Sequence, residues 1–363
     1  FTTDRETNGG IRYGSVSEHA YTLRAGLDWQ GNFLVRGWSV SPRISVEAGR
    51  VLGDNDLSHQ MRAGDAVAVV KDEGEDWQFD GSALKTSEIS PEMAQKIRAS
   101  ILFAGPLLAR TGSVTLPPPG GDVIGRRRLD THFVAFEGLG AQVHTDGTFF
   151  LHADKLVGAE LFLDEASVTA TENAVMAAVV AEGRTVIENA ASEPHVQDLC
   201  HMLTSMGAQI EGIGSNILSI SGVTTLHGTE FELGADFMEV GSFIGLAAAT
   251  RGDLTIEQAG TKHLKMTRIA FARLGIRWET DGDTIHVPAH QRLQVETDLG
   301  GMIPKIDDSP WPGFPADLTS IMTVVATQVD GTVLIHEKMF ESRMFFVDKL
   351  IGMGARIVLC DPH

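Results

Sequence analysis

One unit, repeated with variation, constrains the fold of this chain more than any other feature. From Glu182 to Gly222 the residues read EGRTVIENAASEPHVQDLCHMLTSMGAQIEGIGSNILSISG. A glycine turn opens the unit, and β-branched residues over Thr185 to Glu188 predict a strand. An acidic loop then leads into an amphipathic helix. The helix is expected to stop at Met206-Gly207, because glycine suits the left-handed residue that ends a helix. A strand pair follows, Gln209 to Ile213 and Ile217 to Ile220. The same order recurs over Arg251 to Val287, with Gly275 as the stop, and over Asp330 to His363, with Gly354. A fourth copy, THFVAFEGLGAQVHTDGTFFLH, stops its helix at Gly140, and a poorer fifth runs from Arg43 to Val70. Recurrence of this kind marks supersecondary blocks that bury their apolar faces only against one another.

Between the copies lie stretches rich in small residues: PEMAQKIRASILFAGPLLAR, SVTATENAVMAAVVA, MEVGSFIGLAAAT and DLTSIMTVVATQV. They are apolar nearly all round, which predicts buried central helices. The repeating order is therefore strand–helix–strand–helix–strand–strand. That order predicts an α/β (α+β) fold class with sheets outside and small-residue helices inside.

At 363 residues the chain is long enough for two domains of ordinary size. No apolar run reaches the roughly 20 residues that a membrane-spanning helix needs. The start, FTTDRETNGG, has no basic n-region or apolar h-region, so no secretory signal is expected. It also lacks an initiator Met, which reads as a fragment or a processed form. Cys200 and Cys360 are the only cysteines. That usage argues against a disulfide scaffold and fits a cytoplasmic protein. Neither stands in a metal-ligand spacing, and no cofactor is expected. A net charge of −19 disfavours nucleic acid and anionic membrane as partners.

Against that field, one stretch is locally basic. LPPPGGDVIGRRRLDTH, Leu116 to His132, sets Asp122 beside Arg126, Arg127 and Arg128 after a Pro-Gly-Gly approach that reads as a surface loop. Guanidinium forks hold phosphate and carboxylate oxygens through paired hydrogen bonds, so the patch suits a doubly anionic substrate, and equally a solvated basic turn. Arg98 is a lone cation in QKIRASILFAG, either a structural ion pair or a ligand contact. Ser167, Thr169 and Thr171 cluster at a predicted helix start, where they either cap the helix or meet a phosphate. Asp317, in GFPADL, is an N-cap or a general base, and Asp236 has the same ambiguity. Arg343, in FESRMFFVDKL, is a stacked arginine or a ligand clamp. No Walker loop, GxGxxG, GxSxG or HExxH occurs, which removes motif support for nucleotide hydrolases, Rossmann dehydrogenases, serine hydrolases and zincins.

Taken together, QKIRASILFAGPLLAR, LPPPGGDVIGRRRLDTH, the SVTATEN helix start, EGRTVIENAASEP, GFPADL and FESRMFFVDKLIGMGA make the chain resemble the enolpyruvyl transferases from about Lys85 onward. The resemblance implies a two-domain inside-out α/β barrel of βαβαββ units with its active site in the cleft between domains. On that basis 46–226 is expected to form the first barrel domain and 227–363 the second, which lacks the family's last repeat. Residues 1–45 form an N-terminal segment that is open to belonging to the second. The implied reaction moves the enolpyruvyl group of phosphoenolpyruvate to a hydroxyl of a uridine nucleotide-sugar, UDP-N-acetylglucosamine, by addition and elimination. The protein is expected to be a monomer or weak oligomer.

Roles follow position by position from the resemblance. Arg98 and Arg127 match arginines that contact phosphoenolpyruvate or the nucleotide-sugar. Leu129, Asp130 and Thr131 match a uridine-facing segment, and Ser167, Val168 and Thr169 a diphosphate-facing one. Asp317 matches the general base, and Arg343 follows the family's Glu-x-Arg pattern. Asp122 stands where most members carry the cysteine that protonates the methylene carbon and reacts with fosfomycin. The family's early Gly-Ala-Lys-Asn stretch is not supplied before Arg50, Asp236 is followed by Phe237 rather than arginine, and two tail arginines are not supplied. Four repeats are clear and a fifth is poor, against the family's six. Transfer to another uridine nucleotide, or nucleotide-sugar binding without turnover, therefore stands beside the first reading.

Overall fold

The computed structural model describes residues 84, 86–121, 127–340 and 342–360 in full, and gives the backbone of short strands at 3–5, 11–13, 25–27, 33–35, 69–73 and 76–80. The four earliest strands, β1 (Thr3–Arg5), β2 (Ile11–Tyr13), β3 (Ala25–Leu27) and β4 (Phe33–Val35), form an antiparallel sheet in sequence order. β5 (Val69–Glu73) and β6 (Asp76–Asp80) form a hairpin. The predicted fifth repeat falls mostly on residues outside those described.

From there the repeat unit is visible over the described residues. A parallel bridge at Glu88 to Thr115 opens it, and α1 (Pro91–Ala94), a 3-10 helix (Arg98–Phe103) and α2 (Ala104–Thr111) lead to β7 (Ser113–Leu116). α3 (Asp130–Gly138), β8 (Gln142–Thr145) and β9 (Phe149–His152) complete it, with the sheet ordered β7-β9-β8. The second unit runs β10 (Glu160–Phe162), α4 (Val168–Ala178), β11 (Arg184–Glu188), α5 (Pro194–Ser205), β12 (Gln209–Glu211) and β13 (Ile217–Ser221). β10 and β11 pair in parallel across the α4 crossover, and β13 pairs antiparallel with both β11 and β12.

The pattern continues with α6 (Phe237–Thr250), β14 (Leu254–Ile256), α7 (Lys265–Ala272), β15 (Glu279–Asp281) and β16 (Thr284–Val287). It ends with β17 (Lys305–Asp307), α8 (Asp317–Ala326), β18 (Leu334–His336) and α9 (Val347–Gly352). β17 and β18 again pair in parallel across a helix. The chain divides into two compact units, one of Arg43–Asp122 and Arg128–Leu233, the other of Phe1–Pro42, Val123–Arg127 and Gly234–His363.

The glycine stops lie where the repeats predict them: Gly140, Gly207, Gly275 and Gly354 all have φ between 77° and 103°. At Gly207, φ is 103°, a backbone conformation that a Cβ would strain. Of the small-residue stretches, α4 is buried along most of its length, whereas α6 and α8 are each buried over about half of their residues, with Leu246 and Val324 exposed. In α4, eight residues from Ala170 to Ala178 are buried, and α6 packs its Gly241 against Leu318 of α8. Each unit has its own apolar core, one including Ile101, Phe136, Val175 and Ile220, the other including Ile244, Phe271, Met322 and Val325.

Two expectations are corrected. PEMAQKIRASILFAGPLLAR is not one helix: it breaks after Ala94 and resumes as the 3-10 turn at Arg98. Ser100 Oγ draws on the carbonyls of Ala94 and Ile97, at 3.0 and 2.9 Å, within the break. The last repeat, expected to close on a strand pair, runs without strand structure over residues 355–360.

Candidate active site

In the first unit the chain brings three predicted segments together. The Pro-Gly-Gly approach packs on the turn between α1 and the 3-10 helix: Gly120 N–H donates to the Ala94 carbonyl at 2.9 Å, and a Cβ at Gly120 would collide with the Gln95 carbonyl. Only glycine passes there. Asp122 and Arg126, the predicted acid and the first arginine of the triplet, lie outside the described residues. Arg127 is described and half-buried.

Arg98, at the first position of the 3-10 helix, donates from Nη2 to the Arg128 carbonyl at 3.1 Å. The cation is therefore at a helix end rather than mid-helix. Arg128 bonds Asp130 Oδ2 from Nε at 2.7 Å and Asp164 Oδ2 from Nη2 at 3.0 Å. Those carboxylates hold its guanidinium above the usual arginine range, the Asp130 bond contributing most. Asp164 is held below the usual carboxylate range, first by the Thr131 hydroxyl, which donates to Oδ1 at 2.7 Å, and then by Arg128. Leu129 precedes the first turn of α3, which Asp130 and Thr131 open. The three predicted uridine-facing residues are thus one helix start, anchored to the loop after β10.

The other predicted segment is the start of α4. Ser167 is its N-cap, accepting from Ala170 N–H at 3.4 Å, and Val168 and Thr169 are its first two residues. Thr171, read with them from the sequence, belongs elsewhere. It is fully buried, donates to the Ser167 carbonyl at 2.8 Å and accepts from Ala191 N–H at 2.9 Å.

Three residues that sequence reasoning did not single out join these segments. His132 is 1% exposed and its Nε2 lies 3.1 Å from Thr169 Oγ1. Asn173, fully buried on α4, has Nδ2 at 2.9 Å from His132 Nδ1 and at 3.0 Å from the Ile101 carbonyl. Its Oδ1 accepts from Gly105 N–H at 2.8 Å. Asp164 is the third. Burial, with Arg98 adding to it, lowers the His132 pKa to about 3, so the ring is neutral. The available signal was a polar amide on an alanine-rich buried helix, which requires hydrogen-bond partners there.

In the second unit, Asp317 is the first residue of α8 and Ala316 precedes it as N-cap, so Asp317 is not the cap. Arg343 Nη2 donates to Asp317 Oδ1 at 2.6 Å, and the guanidinium lies 4.9 Å from the Phe340 ring centroid. Glu337 Oε2 stands 3.8 Å from Arg343 Nε. Burial and the neighbouring Asp308 push the Glu337 carboxyl up to about 7. Asp236 caps α6, accepting from Met238 N–H and Glu239 N–H at 2.9 and 3.2 Å, which meets the plain capping reading. Among the described residues no helix is long and apolar enough to cross a membrane.

Residues 46–361 match the EPSP synthase (3-phosphoshikimate 1-carboxyvinyltransferase) family. A UDP-N-acetylglucosamine 1-carboxyvinyltransferase of Treponema denticola is 70% identical over 280 residues, 77% of this chain and 66% of that protein. One from Borrelia garinii subsp. bavariensis is 59% identical over 303 residues, 81% of this chain and 71% of its own length. The chain thus spans about two thirds of the length of such relatives. The crystal structure of the enolpyruvyl transferase NikO from Streptomyces tendae superposes with a TM-score of 0.70 at 21% identity, covering 84% of this chain and 71% of that one. The fold is therefore the α/β fold of enolpyruvyl transferases, and the chain belongs to the EPSP synthase family.

Proposed function

We propose that this chain transfers the enolpyruvyl group of phosphoenolpyruvate to a hydroxyl of UDP-N-acetylglucosamine and releases inorganic phosphate, a cytoplasmic step in supplying peptidoglycan precursor. The observation that carries this reading is the joining of two helix starts, at Asp130 and Val168, to Arg98 and Arg128 through a chain of exposed and partly buried hydrogen bonds. Helix N-terminal N–H groups and fixed guanidinium forks suit a nucleoside diphosphate. The names and high identity of the Treponema and Borrelia relatives support the choice of acceptor.

In the addition step, Asp317 takes the acceptor hydroxyl proton as the oxygen bonds to C2 of phosphoenolpyruvate, while Asp122, protonated, delivers a proton to C3. In the elimination step, C3 returns a proton, the double bond re-forms and the C2–O bond to phosphate breaks, so phosphate departs with the bonding pair. Arg98, Arg127 and Arg343 balance charge on phosphate and carboxylate. Leu129, Asp130 and Thr131 face the uridine, and Ser167, Val168 and Thr169 the diphosphate. Because a carboxyl group stands where a thiol would meet the epoxide, the protein is resistant to fosfomycin.

The test is phosphate release from phosphoenolpyruvate in the presence of UDP-N-acetylglucosamine. Release that needs the nucleotide-sugar is expected. Release with plain uridine nucleotides instead would move the acceptor, and binding with no release from any acceptor would overturn the reading.

A further inference from the structure

We propose that His132 is a positioning residue that acts through Thr169, turning the Thr169 hydroxyl into a hydrogen-bond donor aimed at an anionic oxygen of the nucleotide diphosphate. The proposal rests on the functional reading above and specifies how one helix start recognises that ligand. Its argument is a chain of polarity that begins at a backbone amide. Gly105 N–H can only donate, so the Asn173 atom facing it at 2.8 Å is the carbonyl oxygen. The other end of that amide is therefore NH2, which donates to the Ile101 carbonyl at 3.0 Å and to His132 Nδ1 at 2.9 Å. His132 Nδ1 must then accept. The ring is neutral, so its one hydrogen is on Nε2 and donates to Thr169 Oγ1 at 3.1 Å. A hydroxyl that accepts there keeps its own hydrogen for another partner.

Three observations favour a function beyond packing. Asn173 and His132 are both almost wholly buried, whereas Thr169 is half-buried. The network thus runs from the core outward and ends on a group near the surface. It also starts from the 3-10 helix and α2 and crosses to α3 and α4, so it fixes Thr169 relative to the segments that carry Arg98 and Thr131. Finally, two neighbouring hydroxyls have already placed their hydrogens: Thr171 donates to the Ser167 carbonyl and Thr131 donates to Asp164. Thr169 alone of this group has its polarity set by a buried imidazole.

The two ring nitrogens can be tested separately. Glutamine at 132 can extend an NH2 toward Thr169, whereas asparagine offers a polar atom near Nδ1 and withdraws from Thr169. UDP-N-acetylglucosamine affinity is measured by calorimetry, with kcat and KM alongside, for wild type, His132→Gln, His132→Asn, Thr169→Val, Thr169→Ser and the His132→Asn/Thr169→Val pair. We expect His132→Asn and Thr169→Val each to weaken nucleotide binding about tenfold, the cost of one hydrogen bond to a charged group. His132→Gln and Thr169→Ser are expected to recover most of that loss. The double variant should be no weaker than the singles, and kcat should change much less than KM. Affinity should not follow protonation of an imidazole between about pH 5.5 and 8. Equal losses in His132→Gln and His132→Asn, or losses that multiply in the double variant, overturn the proposal while leaving the reaction in place. If the histidine variants fail to fold, the half-buried Thr169 pair decides it: valine and serine behaving alike overturns it. Wild type that binds no nucleotide-sugar overturns both this and the functional reading.

Discussion

Asp317 gives one carboxylate oxygen to Arg343, at 2.6 Å, and in the proposed reaction its carboxylate takes a proton. Its side chain is 54% exposed, so a hydroxyl can approach it from solvent, while Arg343 is 12% exposed and stacked on Phe340. A carboxamide at this position preserves the bond to Arg343 and removes the proposed base. Asp317→Asn should therefore lower kcat by about 10²- to 10⁴-fold with KM for phosphoenolpyruvate changed by less than about threefold, measured from phosphate release. A parallel rise in KM would instead make Asp317 a binding group. Asp122 supports a second prediction at this scale. A thiolate is a far stronger nucleophile toward an epoxide than a carboxylate is. Wild type should show no time-dependent inactivation by fosfomycin, and Asp122→Cys should acquire it; rapid inactivation of wild type would remove the proposed resistance.

Among the elements, α4 carries the most competing demands. It is buried along most of its length, opens at Ser167 toward the candidate site, and holds Asn173 and Glu172 in its interior. Burial, with the Glu193 charge adding to it, pushes Glu172 up to about 8 from an ordinary 4.5. An acid whose folded pKa is raised contributes its full stability below the unfolded value and loses it as pH rises toward the folded one. Wild type should thus lose thermal stability between about pH 5 and pH 8, and Glu172→Gln should lose less, opening a gap of several degrees in Tm by about pH 8.5. Equal pH slopes in the two proteins would show that the Glu172 proton is not linked to folding. α4 also marks the limit of what the sequence discloses. Its ends and its burial follow from Ser167 and a run of alanines, and the glycine stops at 140, 207, 275 and 354 follow from local backbone chemistry. Bonds such as Asn173 to Gly105, Asn173 to His132 and Thr131 to Asp164 join residues 33 to 68 positions apart, and no local periodicity encodes them. The break before Arg98 was hidden for a related reason, because its carbonyls are satisfied by the Ser100 hydroxyl and by Gly120 N–H from the following loop.

For the whole molecule the governing quantity is charge. The chain carries −19 and is proposed to bind two anions with the help of Arg98, Arg127 and Arg343. These act over different ranges. Repulsion from the overall charge is long-range, and the screening length falls from about 30 Å at 10 mM salt to about 10 Å at 100 mM. Contacts like the 3.1 and 2.6 Å bonds that Arg98 and Arg343 already make lie inside even the shorter length. The first added salt should therefore remove repulsion and leave capture intact. We expect kcat/KM for phosphoenolpyruvate to rise between about 10 and 100 mM potassium chloride and to fall only at higher salt, as competition for the guanidinium groups takes over. A monotonic fall from the lowest salt would mean that these arginines steer ligands over distances at which the overall negative charge should dominate. The arginines would then set the encounter as well as the grip.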